Sequence, residues 1–212
     1  MASRYQLDVS VYYLDYKNRL GTIALNDSVN NLQIYRTNIG NSRSIGSEFY
    51  LNFTIYRRGN WDVQLFNSTA YNNSVYYDAA IKVGNVNEDV SGHKVESTPE
   101  WISRTGLNLT YRRISFNALF SYVSDSYADA LNSIEPNASG STGLVPEYAL
   151  LDLGVKYKVS DSFLIQFNVN NVTDQSYFTK RPQFYPGPGI WPSDGRGFSL
   201  SIVSNFAERR YK

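Results

Sequence analysis

Polar and apolar residues alternate with a period of two along most of this chain. In one stretch Phe163, Ile165, Phe167 and Val169 fall on one side, and Gln166, Asn168 and Asn170 fall on the other. Such alternation marks a β-strand with two unlike faces. The same pattern predicts about eight strands in all. The first spans Arg4 to Tyr16, with Tyr5, Leu7, Val9, Val11 and Tyr13 aligned. The second spans Ser44 to Tyr56, with Phe49, Leu51, Phe53 and Ile55 set against Glu48, Asn52 and Thr54. Further strands run from Trp61 to Tyr71, Glu100 to Tyr111, Ile114 to Val123 and Tyr148 to Val159; the seventh is Phe163 to Asn171 and the eighth Phe198 to Phe206. No stretch holds a helical period, and no low-complexity linker divides the chain.

The connections alternate as well. Short turns follow the second, fourth and sixth strands, at Arg57-Arg58-Gly59-Asn60, Arg112-Arg113 and Ser160-Asp161-Ser162. Long loops follow the first, third, fifth and seventh, roughly Lys17 to Arg43, Asn72 to Pro99, Ser124 to Glu147 and Val172 to Arg196. Segregating long loops to one end is the habit of outer-membrane barrels, with short turns on the periplasmic side. The fold expected is therefore all-β, an antiparallel up-and-down transmembrane β-barrel.

The two faces support that expectation. Trp61, Tyr111, Tyr157 and Phe163 flank the short turns on the apolar face, and are candidates for an aromatic girdle at one membrane interface. Tyr13, Trp101, Tyr122 and Phe198, toward the long loops, are candidates for the other. The opposite face carries Asp8, Ser10, Glu48, Asn52, Arg104, Asn108, Asn117, Asp152, Lys156, Gln166 and Asn168, as a wet lumen requires. Strands in hydrocarbon must pair every backbone group, so they belong to closed barrels. Alternation by itself does not distinguish inside from outside. A soluble eight-stranded barrel that turns its apolar face inward around a small ligand is the other reading.

Composition narrows the chemistry. Twenty Lys and Arg balance 19 Asp and Glu over 212 residues, so the net charge of +1 points to no nucleic-acid partner. Eighteen tyrosines suit half-buried pleated surfaces. Cysteine is absent, which removes disulfides and thiolate chemistry. With one histidine, His93, and no convergent nucleophile, neither a metal site, a cofactor nor an enzyme active site is expected. The loop from Ser124 to Glu147 collects Asp125, Asp129, Glu135 and Glu147, hard oxygen ligands for calcium, but their spacing matches no compact calcium loop.

Three segments carry a family resemblance. Asn38-Ile39-Gly40-Asn41-Ser42-Arg43-Ser44-Ile45-Gly46-Ser47-Glu48 precedes and opens a strand; Val145-Pro146-Glu147-Tyr148-Ala149-Leu150-Leu151-Asp152-Leu153-Gly154 opens another. The third runs from Asn170-Asn171-Val172-Thr173-Asp174-Gln175-Ser176-Tyr177, through a Pro/Gly-rich loop, to Gly195-Arg196-Gly197-Phe198 and a last strand closing on Phe206. In order and spacing they resemble the C-terminal end of TonB-dependent outer-membrane receptors, of the ferric-citrate and siderophore kind. The resemblance implies a 22-stranded barrel with a plugged lumen, of which this chain is the C-terminal part. It implies a bacterial outer-membrane location and uptake of a ferric chelate or another scarce nutrient. Its partners would be the lipid bilayer, a plug domain, the N-terminal barrel strands, and the energy-transducing TonB complex acting through the plug. A complete small eight-stranded outer-membrane protein, serving structure or adhesion, is the alternative within the membrane reading.

Residues 1–206 are assigned to the barrel segment and 207–212 to a C-terminal tail. Family members end on an aromatic residue read by the assembly machinery, a role that falls to Phe206, although Ala207 to Lys212 follow it. Met1-Ala2-Ser3 leads directly into a strand pattern, so an exported protein of this kind is expected to be longer than this chain or to have lost its signal. In the loop Tyr185-Pro186-Gly187-Pro188-Gly189, prolines and glycines make a stiff, tight backbone. Arg181, Tyr185, Trp191 and Arg196 hang from it and are the candidate ligand-binding residues, since guanidinium groups grip carboxylates through paired hydrogen bonds. Against this, Arg196 could pair with Asp194 or a lumenal carboxylate, and Trp191 could anchor the loop. Arg57-Arg58 and Arg112-Arg113 fit either anionic lipid headgroups or ordinary solubilising turns.

Overall fold

The computed structural model describes residues 4–26, 32–84, 86–183 and 187–204, with backbone alone for 22–26 and 32–36. Its strands are β1 (Tyr5–Asn26), β2 (Leu32–Arg58), β3 (Trp61–Tyr77), β4 (Ala80–Val83), β5 (Val86–Asp89), β6 (Trp101–Tyr111), β7 (Ile114–Val123), β8 (Ser126–Tyr127), β9 (Leu144–Val145), β10 (Tyr148–Lys158), β11 (Phe163–Asn170), β12 (Phe178–Lys180), β13 (Trp191–Pro192) and β14 (Gly197–Ser204). Eight of them form one antiparallel meander in the order β1-β2-β3-β6-β7-β10-β11-β14. The other six make three small hairpins, β4/β5, β8/β9 and β12/β13, inside the long connections. Among the described residues the first and last strands of the meander do not pair with each other, so the sheet is open.

Register shows how the sequence enforces two faces. One row of directly opposed residues runs Tyr5, Phe53, Leu65, Leu107, Ala118, Leu153, Val169 and Phe198. The neighbouring row on the other face runs Thr54, Gln64, Asn108, Asn117, Gly154, Asn168 and Ser199. Opposed residues share a face, and a slip of one residue would exchange the two sets. The apolar face is left uncovered: Leu7 is 52%, Leu200 66% and Ile202 66% exposed. That is a surface for hydrocarbon rather than water.

Two details refine this picture. On the polar face, Phe66 lies over Gly106 and Tyr12 over Gly46, so closely that a Cβ on either glycine would sit 2.0 Å and 2.3 Å from the ring. A large side chain can cross the strand there only because its partner has none. On the apolar face, Asn67, Thr69, Ser103 and Thr105 bond to one another, Asn67 Nδ2 donating to Thr105 Oγ1 at 2.9 Å and Thr69 Oγ1 lying 2.7 Å from Ser103 Oγ. The island satisfies its own polar groups, which lowers the cost of placing it against lipid.

Strand ends depart from the sequence pattern in one place above all. The segment 17–43, expected as a loop, is mostly a continuation of β1 and β2, paired as far as Asn26 and Leu32. A hairpin standing clear of the sheet needs only backbone pairing, so it can continue after the apolar alternation has stopped. At the opposite end, two-residue turns begin with positive φ at Gly59 (59°) and Arg112 (52°), the twist that tight hairpins demand.

Face assignment predicts a sharp contrast between adjacent residues. In the full-length protein, Phe167→Arg should cost about 2–4 kcal/mol by putting a charge against hydrocarbon. Asn168→Arg should cost about 1 kcal/mol, the loss of its hydrogen bond to Ser199. Refolding titrations in detergent or lipid check the difference, and equal losses would reverse the faces.

Candidate functional site

Among the described residues, the buried apolar side chains gather at the long-loop end of the sheet and in its connections. Ile39, Tyr76, Ala79, Val90 and Val95 form a small core, with Ile81, Ala130 and Leu131 packed against it. It joins the β1/β2 hairpin to the connections 78–100 and 124–147. Gly40, at φ +116°, lets the hairpin backbone approach Ala79 where a Cβ would stand 2.4 Å from the Ala79 Cα.

Polar contacts tie these connections together in sequence. Ser97 N–H donates to the Tyr127 carbonyl at 2.7 Å. Asn132 accepts from the Lys94 amide at 2.7 Å and donates back to the Lys94 carbonyl at 2.9 Å. His93 is half-buried, its Nδ1 donating to the Ala130 carbonyl at 3.0 Å, rather than standing in solvent. Asp129, buried within the connection 124–147, accepts from the amides of Leu131 (3.1 Å), Ser133 and Gly143 (3.2 Å) and from the Ser133 hydroxyl (3.0 Å). Its carboxylate is thereby committed to holding the loop. Among the described residues no three acidic or histidine groups converge on one point.

Beneath this assembly the polar face carries an open pocket of about 440 Å³ lined by Tyr12, Tyr16, Arg19, Glu48, Asn72 and Ser74 among others. Arg19 is its cation. The guanidinium sits 5.8 Å from the centre of the Tyr76 ring and reaches Ser42 Oγ at 3.5 Å, with no carboxylate partner among the described residues. Burial, reinforced by its hydrogen bond to Glu96, raises the Tyr76 phenol above its ordinary pKa, so Tyr76 stays protonated and donates. The site therefore offers a guanidinium, hydroxyl donors and tyrosine rings, with the Glu48 carboxylate on the same lining. Arg19 was missed in the sequence because it falls inside the segment expected as a loop; the β-bulges flanking it redirect its side chain. A second cavity, about 460 Å³, lies toward the short turns, between Asp62, Gln64, Asn108, Lys156, Gln166 and Asn168.

The sequence-derived candidates are not gathered around one point. Arg181 donates from Nε to the Leu144 carbonyl and from Nη1 to the Gly140 carbonyl, both at 2.9 Å, and lies 4.7 Å over the Phe178 ring. It clamps the connection 171–196 onto the connection 124–147. Arg196 pairs with Asp174, at 3.7 Å, rather than with Asp194, and its amide donates to Asp174 Oδ1 at 2.9 Å. Trp191, in β13, is 51% exposed. Tyr185 and Phe206 lie outside the described residues. Register puts Tyr13, Trp61, Trp101, Tyr111, Tyr122, Tyr157, Phe163 and Phe198 on the apolar face, with the Trp61 and Tyr111 rings 4.3 Å apart and Tyr71 and Trp101 4.7 Å apart.

The Asn-Asn-x-x-Asp segment proves to be a junction between strand and loop. Asn171 is buried at φ 49°; its amide donates to Asp152 Oδ1 at 2.7 Å and its side chain bonds the Gln175 amide and carbonyl, each at 2.9 Å. Asparagine tolerates this left-handed backbone and satisfies the exposed peptide groups at once. In the full-length protein Asn171→Ala should lower barrel stability by about 2 kcal/mol, and Asn171→Gly by about 1 kcal/mol less than that, because glycine keeps the backbone unstrained. Heat-modifiable gel mobility gives the order; equal losses would mean that the left-handed backbone carries no cost.

With this geometry in hand, comparisons with known proteins are informative. A family model described as TonB dependent receptor-like, beta-barrel, matches residues 2–172. Among solved structures, the ferric citrate transporter FecA in its unliganded form superposes with a TM-score of 0.74 at 20% identity, over 95% of this chain and 29% of FecA. The siderophore receptor PiuA from Acinetobacter baumannii gives 0.71 at 20% identity, over 96% of this chain and 26% of PiuA. The copper transporter OprC gives 0.71 at 17% identity, over 97% and 29%. At these identities the likeness is one of fold, and the chain spans less than a third of each of those proteins.

Proposed function

The chain belongs to the TonB-dependent receptor β-barrel family, and from that premise we propose that it supplies eight consecutive wall strands of an outer-membrane receptor for an anionic ferric chelate. Members of the family are transporters, not enzymes. The open edges of β1 and β14 support continuation into further strands, where a self-contained small barrel would pair them with each other. The uncovered apolar face supports a lipid-facing wall, which a soluble carrier would turn inward. The polar row through Gln64, Asn108, Asn117 and Asn168 suits a wet lumen receiving a plug, through which the TonB complex would act.

One observation carries the choice of substrate class. Arg19 stands at the mouth of the lumen between tyrosines, in no ion pair among the described residues although Glu48 lines the same pocket, beneath loops stiffened by their own core. A half-buried cation held by packing loses little freedom on binding an anion. Trp191 and Arg196 add an exposed ring and a cation on the connection after β11, while Arg181 acts by fixing that connection in place. FecA is described as a ferric citrate transporter and PiuA as a siderophore receptor, and both agree with such a cargo.

In the full-length receptor, Arg19→Ala should weaken binding of ferric citrate by about tenfold or more, the usual cost of losing a hydrogen bond to a charged group. Arg181→Ala with Arg196→Ala should give a smaller loss, accompanied by faster proteolysis of the long loops. Equilibrium titration with ferric citrate and with a neutral ferric hydroxamate checks both. Binding that ignores Arg19, or that favours the neutral chelate equally before and after the substitution, would reject the anionic substrate.

A further inference from the structure

The short-turn end of the sheet carries a cluster of arginines that uptake does not employ. Across residues 56–63, 111–114 and 157–163 there are five cations, Arg57, Arg58, Arg112, Arg113 and Lys158, against two carboxylates, Asp62 and Asp161. The carboxylates are taken. Arg57 bonds Asp62 at 2.9 Å, and Lys158 bonds Asp161 at 2.8 Å. Arg113 donates to the Val159 carbonyl at 3.0 Å. Arg58 and Arg112 remain exposed, with no carboxylate partner among the described residues.

A bulge between Thr54 and Tyr56 decides where these two point. Simple alternation from Phe53 would put Arg57 on the apolar face and Arg58 on the polar one. The bulge adds one residue to β2, so Arg57 instead opposes Asp62 on the polar face, and Arg58 opposes Trp61 on the apolar face. Trp61 in turn opposes and packs against Tyr111, and the Arg112 guanidinium lies 5.3 Å from the centre of that ring. Arg58, Trp61, Tyr111 and Arg112 thus form one continuous strip, aromatic in the middle and cationic at both ends. The turns are also locked in place, since Arg112 N–H donates to the Asn60 carbonyl at 3.1 Å and Lys158 N–H to the Arg113 carbonyl at 2.8 Å.

Aromatic rings settle at the headgroup level of a bilayer, where lipid phosphates lie. We propose that Arg58 and Arg112, held on either side of the Trp61–Tyr111 pair, form a binding site for the headgroup of an anionic phospholipid of the inner, periplasmic leaflet. The proposal rests on the membrane reading above. The two guanidiniums flank the rings and draw an anionic headgroup from both sides, and a net negative lipid is preferred because neither arginine is neutralised by the protein.

The test uses the full-length receptor, extracted in detergent and examined by native mass spectrometry after exchange with phosphatidylglycerol and phosphatidylethanolamine. The native protein should retain phosphatidylglycerol preferentially. Arg58→Gln with Arg112→Gln should reduce that preference by about tenfold. Arg57→Gln, which removes the same kind of charge from the same turn but on the polar face, should leave it nearly intact. Raising the salt concentration should abolish the preference without any substitution. An equal loss with Arg57→Gln would mean diffuse rim charge rather than a site, and would overturn the proposal. Displacement of the lipid by millimolar inorganic phosphate would overturn it in favour of a free-anion site. A preference that survives in the double variant or at high salt would overturn it too. Heat-modifiable mobility and insertion into vesicles are followed in parallel: a receptor that inserts but shows no preference defeats this proposal alone, whereas one that does not insert defeats the membrane reading as well.

Discussion

One continuous backbone ladder holds this chain together, and its register is what everything else depends on. Eight strands hand their peptide hydrogen bonds from neighbour to neighbour, with β1 and β14 at the two edges of the sheet among the described residues. In hydrocarbon there is no water to satisfy a broken pair, so the ladder carries a far larger penalty for disruption than it would in a soluble sheet. Its period of two also sorts the side chains. The row through Leu65, Leu107, Ala118 and Leu153 and the row through Gln64, Asn108, Asn117 and Gly154 are one residue apart, yet they face hydrocarbon and a wet lumen.

A consequence is that the ordinary logic of a hydrophobic core moves elsewhere. The wall uses its apolar residues outward and packs its lumen with amides, hydroxyls and a few rings set over glycines. What resembles a soluble protein's core is the cluster of Ile39, Tyr76, Ala79, Val90 and Val95 at the long-loop end. Water is present there, so apolar burial again drives assembly. The loops consequently behave as a small folded unit mounted on the wall, linked onward by Asn132, Asp129 and Arg181 to the connection that follows β11.

That division lets a two-faced wall carry folded loops at one end. Residues aimed into the lumen near the loops, such as Arg19 and Tyr12, have backbone fixed by the ladder below and side chains confined by the loop core above. Side chains placed at such a boundary are preorganised by both. At the other end the turns are too short to build a core, and Arg58 and Arg112 stand exposed beside the Trp61–Tyr111 pair. The two ends of the sheet thus differ by loop length: one carries a folded loop unit, the other bare cationic turns.

Much of this was legible in the sequence because a two-faced strand writes its environment into every second residue. The eight strands of the wall, the short turns at Gly59, Arg112 and Ser160 and the apolar face all follow from that period and from turn residues, while the family resemblance rests on the motif segments 38–48, 145–154 and 170–206. Tertiary structure alone decided what breaks the period. The hairpin beyond Tyr16 continues on backbone pairing, which leaves no apolar signal, and so Arg19 was hidden in what read as a loop. The bulge near Ile55 exchanged the faces of Arg57 and Arg58, because one added residue is invisible to a pattern that simply counts in twos. Arg181 read as a ligand-seeking cation, and only contacts with Gly140 and Leu144, some forty residues away, turned it into a clamp. Alternation records which side of a strand a residue occupies; the partner it meets across a loop is fixed by distances that no local pattern encodes.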